Sequence, residues 1–323
     1  MAEPALELRD LTRSYRAPLG FGRGRRLQAV RGVSLTVASG QAVGLVGESG
    51  CGKSTLARLA VGLERPDSGE VLLGGRAPGS GGRRKSSTVV QLVPQDVAAA
   101  LDPRRTIGAS IAEPLVIHRR GDTRGRAARV EALLAEVGLD GAYAARYPHQ
   151  VSGGQRQRAV IARALALEPE VLIADEPVAA LDVGVRAQVL GLLLDIRRRR
   201  SLALLLISHD LAVLRRATER VDVMYLGRVV ETGPTEQVVA HPAHPYTAAL
   251  VAAFPEPDPR ARSRWVAPRG EVPSPVALPP GCSFASRCPH VQQDCLDVDP
   301  TLLPVREAGA AACLHPLTAA SEG

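Results

Sequence analysis

Gly47-Glu48-Ser49-Gly50-Cys51-Gly52-Lys53-Ser54 fits the spacing G-x-x-x-x-G-K-[ST]; it lies between an apolar run, Gln41 to Val46, and a helical pattern from Lys53 to Gly62. Each residue type suits a phosphate. The glycines let backbone N–H groups wrap its oxygens, and the helix N-terminus adds a positive dipole. Lys53 is placed to reach β- and γ-phosphates, and Ser54 to offer a hydroxyl to Mg²⁺. Lys53 and Lys85 are the only lysines in a chain otherwise rich in arginine, so a lysine kept in this loop is unlike its background. Further on, Val171-Leu172-Ile173-Ala174 is an apolar strand that ends in two carboxylates, Asp175 and Glu176. Alone, that is an ordinary solvated strand end. Beside a phosphate loop it is a Walker B arrangement, with Asp175 for Mg²⁺ and Glu176 to orient and polarise an attacking water.

Ser152-Gly153-Gly154-Gln155 stands before a third helical pattern. Ser-Gly-Gly at a helix start makes a second phosphate nest, which a phosphate-loop kinase or GTPase does not need. With Arg156-Gln157-Arg158 and the Asp175-Glu176 strand behind it, this run resembles the signature of the ATP-binding cassette family. The resemblance implies two cassettes packed head to tail, each ATP held between the phosphate loop of one and the signature of the other. It also implies roles for single residues. Tyr15 resembles the aromatic that stacks on adenine, and Gln95 the glutamine that touches Mg²⁺ or water and senses the transporter. Ala180-Leu181-Asp182 resembles the loop that crosses the dimer interface. His209, in Ile207-Ser208-His209-Asp210, resembles the switch histidine on the γ-phosphate. The implied nucleotide contacts are thus Tyr15, residues 47 to 54 with Thr55, Gln95, Ser152 to Gln155, Asp175 and Asp182. The implied catalytic set is Glu176, His209, Lys53 and Gln95, with Ser54, Gln95 and Asp175 around Mg²⁺.

A narrower resemblance covers roughly residues 5 to 317. Leu101-Asp102-Pro103-Arg104, Glu113-Pro114-Leu115, Tyr147-Pro148-His149, Ala174-Asp175-Glu176-Pro177 and His244-Pro245-Tyr246-Thr247 are similar to the ATP-binding subunits of oligopeptide and dipeptide permeases. This implies an ATPase that powers uptake of peptides or related small solutes, peptide and nickel both remaining open. The partners implied are a second cassette, identical or different, two transmembrane permease subunits and an extracytoplasmic solute-binding protein. Gly20-Phe21-Gly22-Arg23 resembles an insertion of the second of two such ATPase subunits. Two departures stand out: Pro94 where the family has Phe, and Val178-Ala179 where Thr and Ser usually follow Glu-Pro. Pro94 stiffens the entry to Gln95, and Val178 lacks a hydroxyl; neither replaces a phosphate-contacting group.

Cys282, Cys288, Cys295 and Cys313 follow C-x5-C-x6-C-x17-C, unlike the C-x2-C pairs of common zinc ribbons. Gly281-Cys282-Ser283-Phe284 and Arg287-Cys288-Pro289 resemble the permease-subunit tail, whose four cysteines can hold a [4Fe–4S] cluster. Four thiolates also suit structural Zn²⁺, and buried free thiols are a third reading. Cys51, in the phosphate loop, reads as a small filler.

Positioning these groups requires alternating strands and helices. Leu6, Leu8, Leu11 and then Val33, Leu35, Val37 mark an early strand-rich part, with a Gly- and Arg-rich loop between. Strands are expected at Gln41 to Val46, Glu70 to Leu73, Val89 to Val93, Val171 to Ala174 and Leu202 to Ile207, with a strand pair, Val221 to Tyr225 and Arg228 to Glu231, around Gly227. Arg76 to Arg84 reads as a loop. Residues 104 to 145 read as helical, as do Arg156 to Leu167, Val185 to Arg199 and Leu211 to Ala217. The expected fold is α/β: a phosphate-loop cassette with a RecA-like parallel core, an antiparallel β subdomain and a helical signature subdomain near 97–157. The cassette would occupy residues 1–250. The Pro-rich 251–323 would form a small C-terminal domain with the four cysteines, held by a metal staple.

The bulk numbers fit. With 45% hydrophobic and 3% aromatic residues, the core must be aliphatic, and the charge of +7 is spread along the chain. Dispersed charge reads as solvated surface, with no nucleic acid expected. The alternative of a soluble cassette ATPase on DNA or ribosomes lacks its usual marks, a long coiled-coil insert or a second cassette. No apolar run reaches the ~20 residues of a membrane span, and the acidic N-terminus has no secretory pattern. The expected location is the cytoplasmic face of the membrane, reached through the partners.

Overall fold

A computed structural model describes residues 3–16, 25–77, 88–253, 270–306 and 308–317. The insertion at Gly20 to Arg23, Lys85 and most of the expected loop from Arg76 to Arg84 lie outside the described residues. The strands are β1 (Leu6–Arg16), β2 (Arg26–Val37), β3 (Ala42–Val46), β4 (Ser68–Leu73), β5 (Val90–Val93), β6 (Val171–Asp175), β7 (Ala203–Ser208), β8 (Arg220–Tyr225), β9 (Arg228–Pro234), β10 (Leu303–Arg306) and β11 (Gly309–Ala311). The helices that matter here are α1 (Lys53–Ala60), α2 (Val97–Ala100), α3 (Ile107–Ile117), α4 (Thr123–Glu136), α5 (Gly153–Ala164), α6 (Val183–Arg200), α7 (Leu211–Ala217), α8 (Thr235–Ala240) and α9 (Pro245–Ala252).

Eight strands form the main sheet in the order β10-β11-β9-β8-β3-β7-β6-β5. From β5 to β8 the neighbours run parallel, and β9 and β11 then add antiparallel. The central strands β3, β6 and β7 are buried along their whole length, as parallel strands covered on both faces must be. Their side chains alternate between two cores. Ala42, Val46, Leu172, Ala174, Leu204 and Leu206 meet the helices α3 to α7 on one face. Val43, Leu45, Val171, Ile173, Leu205 and Ile207 meet α1 and the antiparallel sheet β2-β1-β4 on the other. That arrangement is the expected α/β cassette with its antiparallel β and helical parts.

Two expectations are corrected in detail. Residues 104 to 145 are not one helical stretch: α3, α4 and a 3₁₀ turn at Gly141–Ala145 are separate pieces. Gly121 and Gly138 take positive φ between them, and Thr106, Asp122 and Asp140 each cap the next start through a side-chain oxygen. Helix α5 begins at Gly153, not Arg156, because Ser152 and Gln155 form a capping box, each side chain accepting from the other's backbone N–H.

The expected boundary at 250/251 falls inside α9 (Pro245–Ala252), shortly before residues 254–269, which lie outside the described set. Beyond them the chain returns to the cassette. Ala310 and Ala311 pair with Thr232 and Glu231 on β9, and Phe284 is buried in the helix-side core against Tyr225 and Tyr246. His244 caps α9, and complete burial pulls its pKa down to about 4, so the ring is neutral and its Nδ1 accepts from the Tyr246 N–H at 3.0 Å. The basic tract at the end of α6 is ion-paired: Arg197 with Glu219, Arg198 with Asp195, and Arg200 with Glu136. Those partners support the reading of dispersed, compensated surface charge.

Candidate functional site

The phosphate loop joins β3 to α1, and its shape is imposed by close backbone neighbours. A Cβ at Gly47 would lie 2.1 Å from the Met224 carbonyl oxygen, and one at Gly52 2.1 Å from that of Ala29. Gly52 also has φ +110°, and Gly50 has φ +79° with open space around it. The two outer glycines are therefore demanded by the backbones of β8 and β2, and the middle one by its own dihedral. The β8–β9 turn seals the loop from behind, with Gly227 N–H donating to Cys51 O at 2.9 Å. Cys51 is buried, and burial raises its thiol pKa, so it is an inert filler rather than a reactive thiol. Ser49 and Gly50 are exposed at the loop's tip.

Lys53 is 5% exposed, and its Nζ donates to the carbonyls of Gly47 at 2.7 Å and Glu48 at 3.0 Å. Its ammonium is thus held inside the loop, where a phosphate oxygen can replace these carbonyls. Ser54 and Thr55 follow on α1, half-buried. The Ser54 side chain neighbours the Asp175 carboxylate at the end of β6. Burial raises the Asp175 pKa, and the Ser54 contact works against that rise. Asp175 Oδ1 is buried with no hydrogen-bond partner. A buried carboxylate oxygen left open beside a hydroxyl is a donor pair suited to a hydrated Mg²⁺ ion.

Glu176 has φ +49°, a conformation that favours glycine. It is held there by its N–H donating to Ile207 O at 2.9 Å. The twist turns its side chain toward two other candidates. Gln95 Nε2 donates to Glu176 Oε2 at 3.2 Å, and His209 Nδ1 lies 3.1 Å from the same oxygen. Three predicted residues, from the ends of β5, β6 and β7, so meet at one carboxylate oxygen. Strained backbone at such a point makes Glu176 a candidate functional position. The Pro94 departure leaves Gln95 within reach, and Val178 is buried in the helix-side core, where a hydroxyl would need a partner.

Ser152 caps α5, and Gln155 Nε2 donates to the Tyr143 hydroxyl at 2.8 Å. Gly153 and Gly154 occupy the first helical turn. Gly153 opens on a groove shared with Gln95, Arg156, Glu176 and Leu181. Asp182 is the N-cap residue of α6, exposed and without a side-chain cap bond. Tyr15, at the end of β1, hydrogen-bonds Glu64 and carries the Arg13 guanidinium 5.0 Å from its ring centre.

Sequence reasoning missed the residues behind the loop. Glu48 N–H donates to the Tyr246 hydroxyl at 2.8 Å, and the Glu48 carboxylate is paired with Arg287. Neither partner is near the loop in sequence, and no spacing rule connects them. The four tail cysteines do converge. Cys282, Cys288, Cys295 and Cys313 line one small cavity with His290 and His315. Burial raises the thiol pKa values of Cys282 and Cys288, and pushes Cys313 up to about 12 with help from the other sulfurs. Among the described residues, Asp294, Cys295 and His315 bring ligand atoms within 4.8 Å of one another, and no three of the four sulfurs do.

Comparison with known proteins covers nearly all of the chain. A family profile for ABC transporters matches residues 30–179, and one for the oligopeptide/dipeptide transporter C-terminal region matches residues 230–295. A probable peptide ABC transporter ATP-binding protein of Sinorhizobium fredii is 46% identical over 97% of this chain and 90% of its own. A dipeptide transport ATP-binding protein of Haemophilus influenzae is 41% identical over 97% of both. Among solved structures, a dimeric ATP-binding cassette bound to ADP and Pi in a post-hydrolysis state superimposes with a TM-score of 0.63 at 28% identity, over 71% of this chain and 98% of that one.

Proposed function

The chain belongs to the ATP-binding subunits of oligopeptide/dipeptide ABC transporters, ATPases that power an importer, and from that premise we propose which residues do the work and with whom. Lys53 and the loop N–H groups bind the β- and γ-phosphates, and Glu176 orients and polarises the attacking water. Gln95 and His209, both on Glu176 Oε2, hold that carboxylate in place and report on the γ-phosphate. This three-residue convergence is the observation that carries the reading. Ser54 and Asp175 would hold Mg²⁺, and the open Asp175 Oδ1 supports that assignment. When bound, the ion neutralises charge building on the phosphate oxygens. Tyr15 would stack on adenine. Ser152 to Gln155 and Asp182 would complete the site of a second cassette, identical or different.

The remaining partners are inferred by analogy with the relatives, whose names describe peptide, dipeptide and di/tripeptide transport. No described helix is long and apolar enough to cross a membrane; two permease subunits would supply the path and a solute-binding protein the cargo. The chain then sits peripherally on the cytoplasmic face. Deleting it should abolish uptake of labelled di- and tripeptides, restored by the wild-type chain and not by the Glu176→Gln form. Undiminished peptide uptake, with loss of nickel uptake instead, would reassign the cargo.

For the tail we propose a [4Fe–4S] cluster. Among the described residues no three of the four sulfurs all lie within 4.8 Å of one another, whereas Zn–S bonds near ~2.3 Å would need sulfurs about 3.8 Å apart. A cubane spreads its ligands wider, and buried thiols with raised pKa values need metal charge to ionise. Anaerobically purified protein should be brown and carry about four irons per chain. Stoichiometric zinc with no visible absorption would refute the cluster.

A further inference from the structure

A phosphate loop that carries an acid works against itself. Glu48 follows Gly47, and its carboxylate belongs to the loop that must hold a polyanionic nucleotide. Unopposed, it would lower affinity by Coulomb repulsion. The structure shows what opposes it. Arg287 Nη1 lies 2.9 Å from Glu48 Oε2 and Arg287 Nη2 3.1 Å from Glu48 Oε1, a two-pronged pair. The Arg287 side chain is only 8% exposed. Its guanidinium lies 5.9 Å and 5.8 Å from the ring centres of Tyr225 and Phe284. The arginine is therefore seated in a fixed aromatic cradle and not borrowed from solvent. It comes from the 3₁₀ turn Ala285–Arg287, between Cys282 and Cys288.

We propose that Arg287 is a positioning residue of the nucleotide site, cancelling the charge of Glu48 and thereby setting the affinity for ATP. The cysteine-bearing segment supplies that charge from 239 positions away in the chain. The inference rests on the ATP-site reading above and adds to it a residue that acts through Glu48. Its effect falls on binding and not on the chemical step, because the Arg287 guanidinium bonds Glu48 and Tyr225 and not Glu176.

The test is ATP binding by the full-length chain, with Mg-ATP as probe. Arg287→Gln should weaken ATP binding ~10-fold and leave kcat at saturating ATP within about twofold. The loss should shrink as salt is raised, since it is electrostatic. The decisive arm is charge rescue. In the double variant with Glu48→Gln, affinity should return to within about twofold of wild type, which the loss of a purely structural contact would not allow. A folded Arg287→Gln chain that binds normally overturns the inference, and so does a double variant as weak as the single one. Should Arg287→Gln fail to fold, Glu48→Gln alone decides: it must bind ATP at least as tightly as wild type, and weaker binding overturns the inference. Lys53→Ala separates the two readings. If it loses ATP while Arg287→Gln keeps it, only this inference fails; if it binds normally, the site reading fails and this inference with it.

Discussion

Glu176→Gln should still bind ATP and slow hydrolysis by ~10³-fold or more, about 4 kcal/mol of barrier. The substitution is nearly isosteric, and its amide oxygen can still accept from Gln95 Nε2 and His209 Nδ1, which now lie 3.2 and 3.1 Å from Glu176 Oε2. The surrounding geometry should therefore hold. What would disappear is the negative charge proposed to orient and polarise the attacking water. With hydrolysis blocked and binding intact, two cassettes should remain closed on ATP. Single-turnover hydrolysis measures the first effect, and an ATP-dependent shift to dimer on gel filtration measures the second. Turnover within tenfold of wild type would remove Glu176 from the role and leave its φ of +49° without an account.

The convergence on Glu176 shows where the sequence is informative. Gln95, Glu176 and His209 are each recognisable because each follows an apolar strand, and parallel strands deliver their C-terminal ends to one edge of the sheet. The order β7-β6-β5 then makes these three ends neighbours. The reach of each side chain was not legible, nor was the unusual backbone of Glu176. The glycines were legible as a pattern, but the reason for Gly47 and Gly52 lies in the carbonyls of Met224 and Ala29, which only the folded chain brings near.

The helix starts teach a related point. Gly153 and Gly154 suggest a loop by propensity, since glycine weakens helices by ~1 kcal/mol each. The capping box from Ser152 to Gln155 satisfies two backbone donors there. The Ser-x-x-Gln spacing that signals it stands in the sequence and outweighs the glycines. The tail behaves otherwise. Strands of three and four residues, Gly309–Ala311 and Leu303–Arg306, carry too little periodicity to be read before the main sheet is known. The Arg287–Glu48 pair is more remote still, because nothing in either neighbourhood names the other.

Gly153→Asp should separate folding from function in the signature. Gly153 is the first residue of α5, and a Cβ there would meet only Leu181 Cδ2, at the ordinary contact distance of 3.6 Å. An acid in the first turn of a helix is favoured by the dipole, by roughly 0.3–1 kcal/mol at an exposed position. Thermal stability should therefore be unchanged or slightly higher, and the open subunit should bind ATP as before, since its own phosphate loop is untouched. Closure is where the variant fails. If Ser152 to Gln155 complete the partner's site, the new carboxylate is carried toward a γ-phosphate, and like charges in a water-poor interface repel strongly. In the purified chain, concentrated enough to self-associate, both composite sites carry the substitution, and hydrolysis should fall ~10²-fold, about 2.7 kcal/mol. Gly154→Ala does not allow so clean a reading, because its Cβ would press on Val185 Cγ1 at 2.5 Å. A stable Gly153→Asp chain that hydrolyses ATP at the wild-type rate would mean that the phosphate loop at 47 to 54 is a complete site by itself, and that the nest at 152 to 155 serves the helix alone.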